Sequence, residues 1–255
     1  MFSKIGTRRR QYLINRFGKV KPSILEVGAF DNATFRKDSG DKVRYLDFFS
    51  GPELREMHKN NPRRMPDRIV DVDFVVKSSH FAKGIREKFD LIVANHVIEH
   101  VPDAIYWLKQ SHDLLRSGGL LFLAVPDRRY TFDYFRPETR ATEMIRAHSD
   151  KLEKPDVWQL MDHFYYHQKV DLEAIWQGKP PKDFRPRFSL ERAVKMAKEQ
   201  SKVYTDAHCW VFTPASFRRC VGDLRSAGHC TLEIDAIEDT VQGSNEFWAT
   251  LKKAA

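Results

Sequence analysis

The sequence predicts a doubly wound, mostly parallel α/β sheet, and three observations carry that prediction. Short apolar runs at Ile24–Val27, Val43–Asp47, Phe89–Asn95 and Leu120–Val125 alternate with stretches of helical periodicity. The first run passes straight into Gly28 and a polar turn, where a side chain would collide with a bound nucleoside. The second closes on Asp47, about twenty residues after the first, the spacing at which a βαβ unit sets an acid against a ribose. With 255 residues, 42% of them hydrophobic, the chain can bury one good core with an elaboration.

In order, residues 1–20 predict an amphipathic helix carrying Ile5, Tyr12, Leu13 and Phe17 on one face, broken at Lys21 and Pro22. Strand one follows at Ile24–Val27 and strand two at Val43–Asp47, with a short helix over Ser50–Asn60. Arg68–Asp73 is a candidate third strand closing on acids. Phe89–Asn95 is a continuous apolar run, as a strand buried on both faces should be. Ala104–Arg116 has helical periodicity, capped by Ser117, Gly118 and Gly119, before a fifth strand at Leu120–Val125. From Asp127 to about residue 206, aromatic, proline and charged residues crowd together, with helices expected over Glu138–Leu152, Val157–Trp176 and Phe188–Ser201. Core-like patterning then returns: a helix opening at Thr213 and Pro214, and strands at Cys230–Ile237 and Glu246–Leu251. The expected organisation is a ligand-binding core over 1–126, a mainly helical lid over 127–207, and a helix with two closing strands over 208–255.

Composition narrows the partners. No apolar run reaches eighteen residues, and the basic N-terminus lacks an apolar segment after it, so neither a membrane span nor a secretory signal is expected. The three cysteines have no CxxC spacing, which argues against a disulfide framework or zinc site and fits a reducing cytoplasm. The net charge of +8 admits a nucleic-acid partner, but the basic residues are scattered and no RNA-binding signature accompanies them. Weak attraction to an anionic substrate such as a nucleotide-sugar or lipid-linked saccharide, or plain solubility, ranks ahead.

The loop after strand one is informative by what it lacks. A dinucleotide-binding loop repeats its glycine at positions 30 and 32, and here those positions are Phe30 and Asn32. A ligand carrying adenosine but no pyrophosphate is consistent with that loss. An acid near the third strand, Asp73 first and Asp71 second, can accept from an adenine amino group while Phe74 stacks on the ring.

Glu26, Val27 and Gly28, with Asp47, Asp73, the segment from Phe89 through His96, Val97, Ile98, Glu99, His100, Val101 and Pro102, and the stretch Leu115–Leu121, together resemble the class I S-adenosylmethionine-dependent methyltransferases. The resemblance covers residues 22–126, and the terminal helix and two strands are in keeping with that family's antiparallel last hairpin. It implies a Rossmann-like seven-stranded sheet and S-adenosylmethionine as cofactor. Residues 125–137 and 208–214 are similar to a bacterial subgroup associated with surface-polysaccharide gene clusters. Carried over, the family implies that Glu26 and Gly28 lie at the methionine end, Asp47 at the ribose hydroxyls, Asp73 at the adenine edge, and Asn95 and His96 beside the sulfonium. Ala29, Phe30, Asp31, Phe48, Asp71 and Phe74, next to these in the chain, complete the expected cofactor-binding set.

For the chemistry, a hydroxyl acceptor benefits from a general base, and His96, His100, Asp133 and His208 are the candidates. His100 is equally explained as a loop-packing histidine and Asp133 with Arg136 as a structural ion pair, while for His208 a hydrogen-bonded core role ranks ahead of catalysis. His163 and His167 share a helix face but lack an HExxH glutamate, so no metal site is expected. The leading expectation is O-methylation of a carbohydrate or other small polar acceptor by a monomer or homodimer. Methylation of RNA or protein, an inactive cofactor-binding module and a nicotinamide dehydrogenase are the alternatives.

Overall fold

The computed structural model describes residues 4–18 and 20–255. The strands are β1 (Ile24–Val27), β2 (Val43–Asp47), β3 (Phe74–Val75), β4 (Phe89–Asn95), β5 (Leu115–Pro126), β6 (Glu233–Glu238) and β7 (Glu246–Lys252). They make a seven-stranded mixed sheet of order β3-β2-β1-β4-β5-β7-β6, antiparallel over β5, β7 and β6. This is the Rossmann-like sheet with an antiparallel last hairpin that the sequence leads one to expect. The chain divides into two compact units. The first holds the described residues up to Asn95 with Gln110–Phe122 and Lys252–Ala255, and the second holds His96–Lys109 and Leu123–Leu251.

In the first unit, β1 is buried along its whole length and pairs in parallel with β2 on one side and β4 on the other. The strand order reverses between β1 and β4, and ligands of open α/β sheets gather at the carboxyl ends beside such a reversal. The first helix, α1 (Lys4–Phe17), falls inside the expected 1–20, of which residues 1–3 and Lys19 lie outside the described residues. Helix α2 (Gly51–His58) opens on a capping box in which Ser50 and Glu53 satisfy each other's backbone N–H. A Cβ on Gly51 would stand 2.9 Å from the Val70 carbonyl oxygen, so only glycine lets the helix start there.

Two expectations are corrected here. The third strand is not Arg68–Asp73 but the two residues Phe74–Val75, paired with Leu46 and Asp47. Pro66 starts a 3-10 turn over Pro66–Arg68, and Ile69 and Val70 are buried under the loop after β1, with the Val70 N–H bonded to the Phe30 carbonyl. Apolar content there serves a loop rather than a ladder. Strand β5 begins at Leu115, five residues before the expected start. Gly118 and Gly119 pair with Lys253 near the chain end instead of only capping a helix, and a Cβ on Gly119 would meet the Arg116 carbonyl at 2.9 Å.

Helix α3 (Ala104–Leu114) runs between β4 and β5 in the chain. The second unit carries α4 (Ala141–Ser149), α5 (Val157–Tyr166), α6 (Leu172–Trp176), α7 (Leu190–Gln200) and α8 (Pro214–Ser226). The helix expected over Val157–Trp176 is two helices, because the chain turns extended at His167 and Asp171 caps a new start. Helices α5 and α7 share a core of Leu160, Ala197 and Ala207, flanked by Val157, Met161 and Phe164. Helix α8 starts as expected, with Thr213 as N-cap and Pro214 in the first turn, where its missing N–H costs nothing. Among the described residues, no helix is long and apolar enough to cross a membrane.

Candidate active site

In the first unit the carboxylate of Glu26 organises the loop that follows β1. It is fully buried and accepts the backbone N–H groups of Thr34 at 2.6 Å and Phe35 at 3.0 Å. Burial pushes its pKa up to about 7, against the lowering pull of those two amides. Asn95, at the end of β4, donates to Glu26 at 3.3 Å and to the Thr34 hydroxyl at 2.9 Å, while its own Oδ1 is buried without a hydrogen-bond partner.

Gly28 turns the chain at φ +66° and Phe30 stays in the left-handed region at φ +48°. Phe30 therefore holds a backbone shape that glycine adopts without strain, at a cost of roughly 1 kcal/mol. Its ring is held edge-on to His58 at 4.7 Å and under the Arg64 guanidinium at 4.8 Å. Ala29 is buried, and Asp31 accepts the Met65 N–H at 3.0 Å and faces Arg64 at 3.4 Å.

Asp47 ends β2 with its carboxylate bonded to the Phe49 and Phe48 amides, and burial raises its pKa despite them. Phe48 is half exposed. Phe74 opens β3 opposite Leu46. Asp73 stands one residue earlier, level with Tyr45 rather than with the carboxyl end of β2. Its carboxylate is engaged by Lys37 at 2.7 Å, Arg44 at 3.3 Å and the Tyr45 N–H at 2.8 Å. Asp71 is exposed and paired with Arg55.

The second unit gathers the four candidate catalytic residues and several that the sequence did not single out. His96 follows Asn95 directly and is itself left-handed, at φ +53°, with its N–H on the Ala124 carbonyl. Its Nε2 is hydrogen-bonded to Glu246 at 2.7 Å. His208 Nδ1 is bonded to Asp133 at 2.6 Å, and His100 Nδ1 to Asp206 at 2.7 Å. Three histidines thus each have one ring nitrogen oriented by a carboxylate. The His100 and His208 rings meet edge to face at 4.8 Å.

Charge is tightly managed around them. Burial would raise Asp133, but the bond from His208 and the Arg136 guanidinium outweigh it and hold the carboxyl below its usual range. Burial opposes a charge on His100, yet Asp206 and Glu99 together hold its pKa above that of an ordinary histidine. His163 is neutral at pH 7, its pKa driven down to about 3 by burial and then by His208. Arg136 is buried and donates to the carbonyls of His208 at 2.6 Å and Cys209 at 3.1 Å.

A cavity of about 420 Å³ opens on this cluster, lined by His96, Tyr130, Thr131, Phe132, His167, Lys169, His208 and Asn245 among others. Tyr130 is stacked on Trp176 at 4.2 Å, and Phe132 on His167 at 4.4 Å. Of these, Lys169 and Asn245 belong to no motif in the sequence, and Tyr130 and Phe132 fall in the 125–137 stretch without being marked there as site residues. Glu246 and Asp206 likewise became visible only as partners of histidines far from them in the chain.

The seven-stranded sheet and its strand order define the class: a Rossmann-like α/β fold of the methyltransferase type. The family described as "Methyltransferase domain" matches residues 7–179, more than half of the chain. The chain belongs to that family of methyltransferase domains. It is 34% identical over 55 residues to a ubiquinone biosynthesis O-methyltransferase of Pelagibacter ubique, a stretch covering 22% of each chain. A protein of the same description from Parvibaculum lavamentivorans is 36% identical over 59 residues, 23% of each chain. The chain thus covers less than a quarter of the length of these curated relatives. A solved S-adenosylmethionine-dependent methyltransferase from Clostridium acetobutylicum shares the fold, with a TM-score of 0.50 at 10% identity over 99% of this chain and 93% of that one.

Proposed function

We propose that this methyltransferase transfers its methyl group to a hydroxyl of a small polar acceptor of carbohydrate type. The observation that carries the reading is the composition of the cavity in the second unit. Imidazoles, a lysine and an asparagine supply hydrogen bonds, while the faces of Tyr130 and Phe132 supply flat apolar surface, the combination that holds a polyhydroxylated ring. The O-methyltransferase descriptions of the curated relatives favour oxygen over nitrogen as the methylated atom.

S-adenosylmethionine brings a methyl group on a sulfonium, and the first unit has residues suited to hold it. Asp47, whose partners among the described residues are backbone amides, takes the ribose hydroxyls. The exposed Gly28 backbone leaves room for the methionine end, and the unpartnered Asn95 Oδ1 offers that end an acceptor. Asp73 and Phe74 remain the proposed adenine side, with Asp73 the weaker of the two because three donors already engage it.

Transfer is an in-line displacement, so aligning the acceptor and excluding water are the main tasks. The acceptor proton passes to a histidine on the cavity wall, His96 or His208, each oriented by its carboxylate so that the other ring nitrogen can accept. The test is transfer of a labelled methyl group to a panel of free sugars, nucleotide-sugars, catechols and amines. Labelling confined to hydroxylated acceptors is the expected result, and labelling of amines alone would overturn the reading.

A further inference from the structure

We infer that the second unit carries a site for a divalent transition-metal ion, formed by Glu99, His100 and His208. One donor atom from each of these residues lies within 4.8 Å of the others. The geometry that makes this more than a cluster is the state of Glu99. Its side chain is 1% exposed, and neither carboxylate oxygen has a hydrogen-bond partner. A buried carboxylate that has no hydrogen-bond donor, with only His96 Nδ1 at 3.6 Å and His100 Nε2 at 3.8 Å near it, is left short of partners, and a cation supplies them.

The histidines are prepared in the way metal-bound histidines are. His100 uses Nδ1 for Asp206 and His208 uses Nδ1 for Asp133, so Nε2 is the remaining donor atom of each ring. Carboxylates behind the imidazoles fix the ring orientation and make the free nitrogens better donors. His100 Nε2 is 3.8 Å from Glu99 Oε1, a few tenths of an ångström beyond the roughly 3.4 Å that separates donors of one tetrahedral ion. Two imidazoles and one carboxylate suit zinc, cobalt, manganese or iron rather than calcium or magnesium, which prefer all-oxygen shells.

Three protein donors leave a coordination position open, as in catalytic rather than structural zinc sites. His208 also lines the cavity, so an oxygen held there could take that position. This site differs from the expectation of no metal, since it does not follow the HExxH helix pattern. Here adjacent Glu99 and His100 come from one turn after β4, and His208 from a segment more than a hundred residues later. With His208 bound to the ion, His96 is left as the proton acceptor of the two. The site stands whatever the acceptor proves to be.

The experiment is equilibrium dialysis of the chelator-stripped full chain against zinc and cobalt ions, with visible absorption of the cobalt form. One equivalent bound, with absorption bands of a low-coordinate cobalt ion, is expected. Glu99→Gln should abolish stoichiometric binding, and Asp206→Asn, at an exposed position where folding is not at stake, should weaken it about 10–100-fold. His112→Ala, at a histidine outside the cluster, should leave binding unchanged. Absence of a bound equivalent in the wild-type chain, or equal binding by wild type and Asp206→Asn, would overturn the inference. Titration of the same stripped protein with S-adenosylmethionine reads the cofactor site separately, so loss of one result does not mimic loss of the other.

Discussion

Glu26 and Thr34 are joined by a 2.6 Å hydrogen bond from backbone N–H to carboxylate, eight residues apart in sequence and wholly removed from water. The bond turns the acid of the first motif into the clamp of the loop that follows it. The same burial raises the acid's pKa from 4.5 to about 7, which ties the loop to pH.

Because the folded state binds this proton more tightly than the unfolded chain, the stabilising contribution is fully present below pH 4.5 and is lost as pH rises to about 7. The size is about 3 kcal/mol at most, from the free-energy equivalent of each pKa unit. Urea unfolding of wild type and Glu26→Gln at pH 5 and pH 7.5 checks it. The difference between the two proteins should shrink or reverse on going to the higher pH, and a difference independent of pH would show that the carboxyl titrates normally.

Phe30 separates backbone strain from packing. Phe30→Gly relieves the left-handed strain but loses the ring contacts with His58 and Arg64, whereas Phe30→Ala loses the contacts and keeps the strain. The alanine variant should be the less stable of the two by about 1 kcal/mol. Thermal or denaturant unfolding reads the order directly, and equal stabilities would mean the positive φ is not maintained in solution.

Asp47 and Asp73 should part company when replaced. Asp47→Ala should weaken S-adenosylmethionine binding by roughly 10- to 100-fold, the loss expected for hydrogen bonds to a charged acceptor. Asp73→Ala removes the shared partner of Lys37 and Arg44 and the acceptor for the Tyr45 N–H. It should lower stability by about 1–2 kcal/mol through the unsatisfied amide, with a smaller effect on cofactor affinity. Calorimetric titration beside unfolding curves distinguishes them, and a larger affinity loss at Asp73 would exchange the two assignments.

Much of the first unit was legible because its signals are local. A run of apolar residues ending in Gly28, a strand ending in Asp47 and the unbroken Phe89–Asn95 each state their structure within a few residues. Where tertiary demands override pattern, reading fails: Ile69 and Val70 look like strand and serve instead as a floor beneath a loop, and β5 extends backwards because Lys253 offers Gly118 and Gly119 a partner. The second unit was less legible for the same reason. His96 with Glu246, His100 with Asp206 and His208 with Asp133 are pairs separated by 75 to 150 positions, and no periodicity links such partners. The unmet oxygens of Glu99 are a property of packing alone.

His208 and Asp133 give the last test, because their pairing has a kinetic signature that mere packing lacks. Asp133 fixes the His208 tautomer with the proton on Nδ1, leaving Nε2 as electron-pair donor, whether to a proton or to a metal ion. In either role His208→Gln should lower kcat by roughly 10²–10⁴ while leaving S-adenosylmethionine affinity unchanged, since the proposed cofactor residues belong to the first unit. Asp133→Asn should reproduce part of the loss, because an asparagine oxygen still accepts from Nδ1 but carries no charge to stabilise the imidazole. Two readouts divide the roles. If His208 acts as base, acceptors with more acidic hydroxyls should recover most of the rate in His208→Gln. If it acts through a metal, the rate loss should match the loss of bound ion across the variants. A His208→Gln enzyme with full turnover would remove the residue from the chemistry and return it to the core.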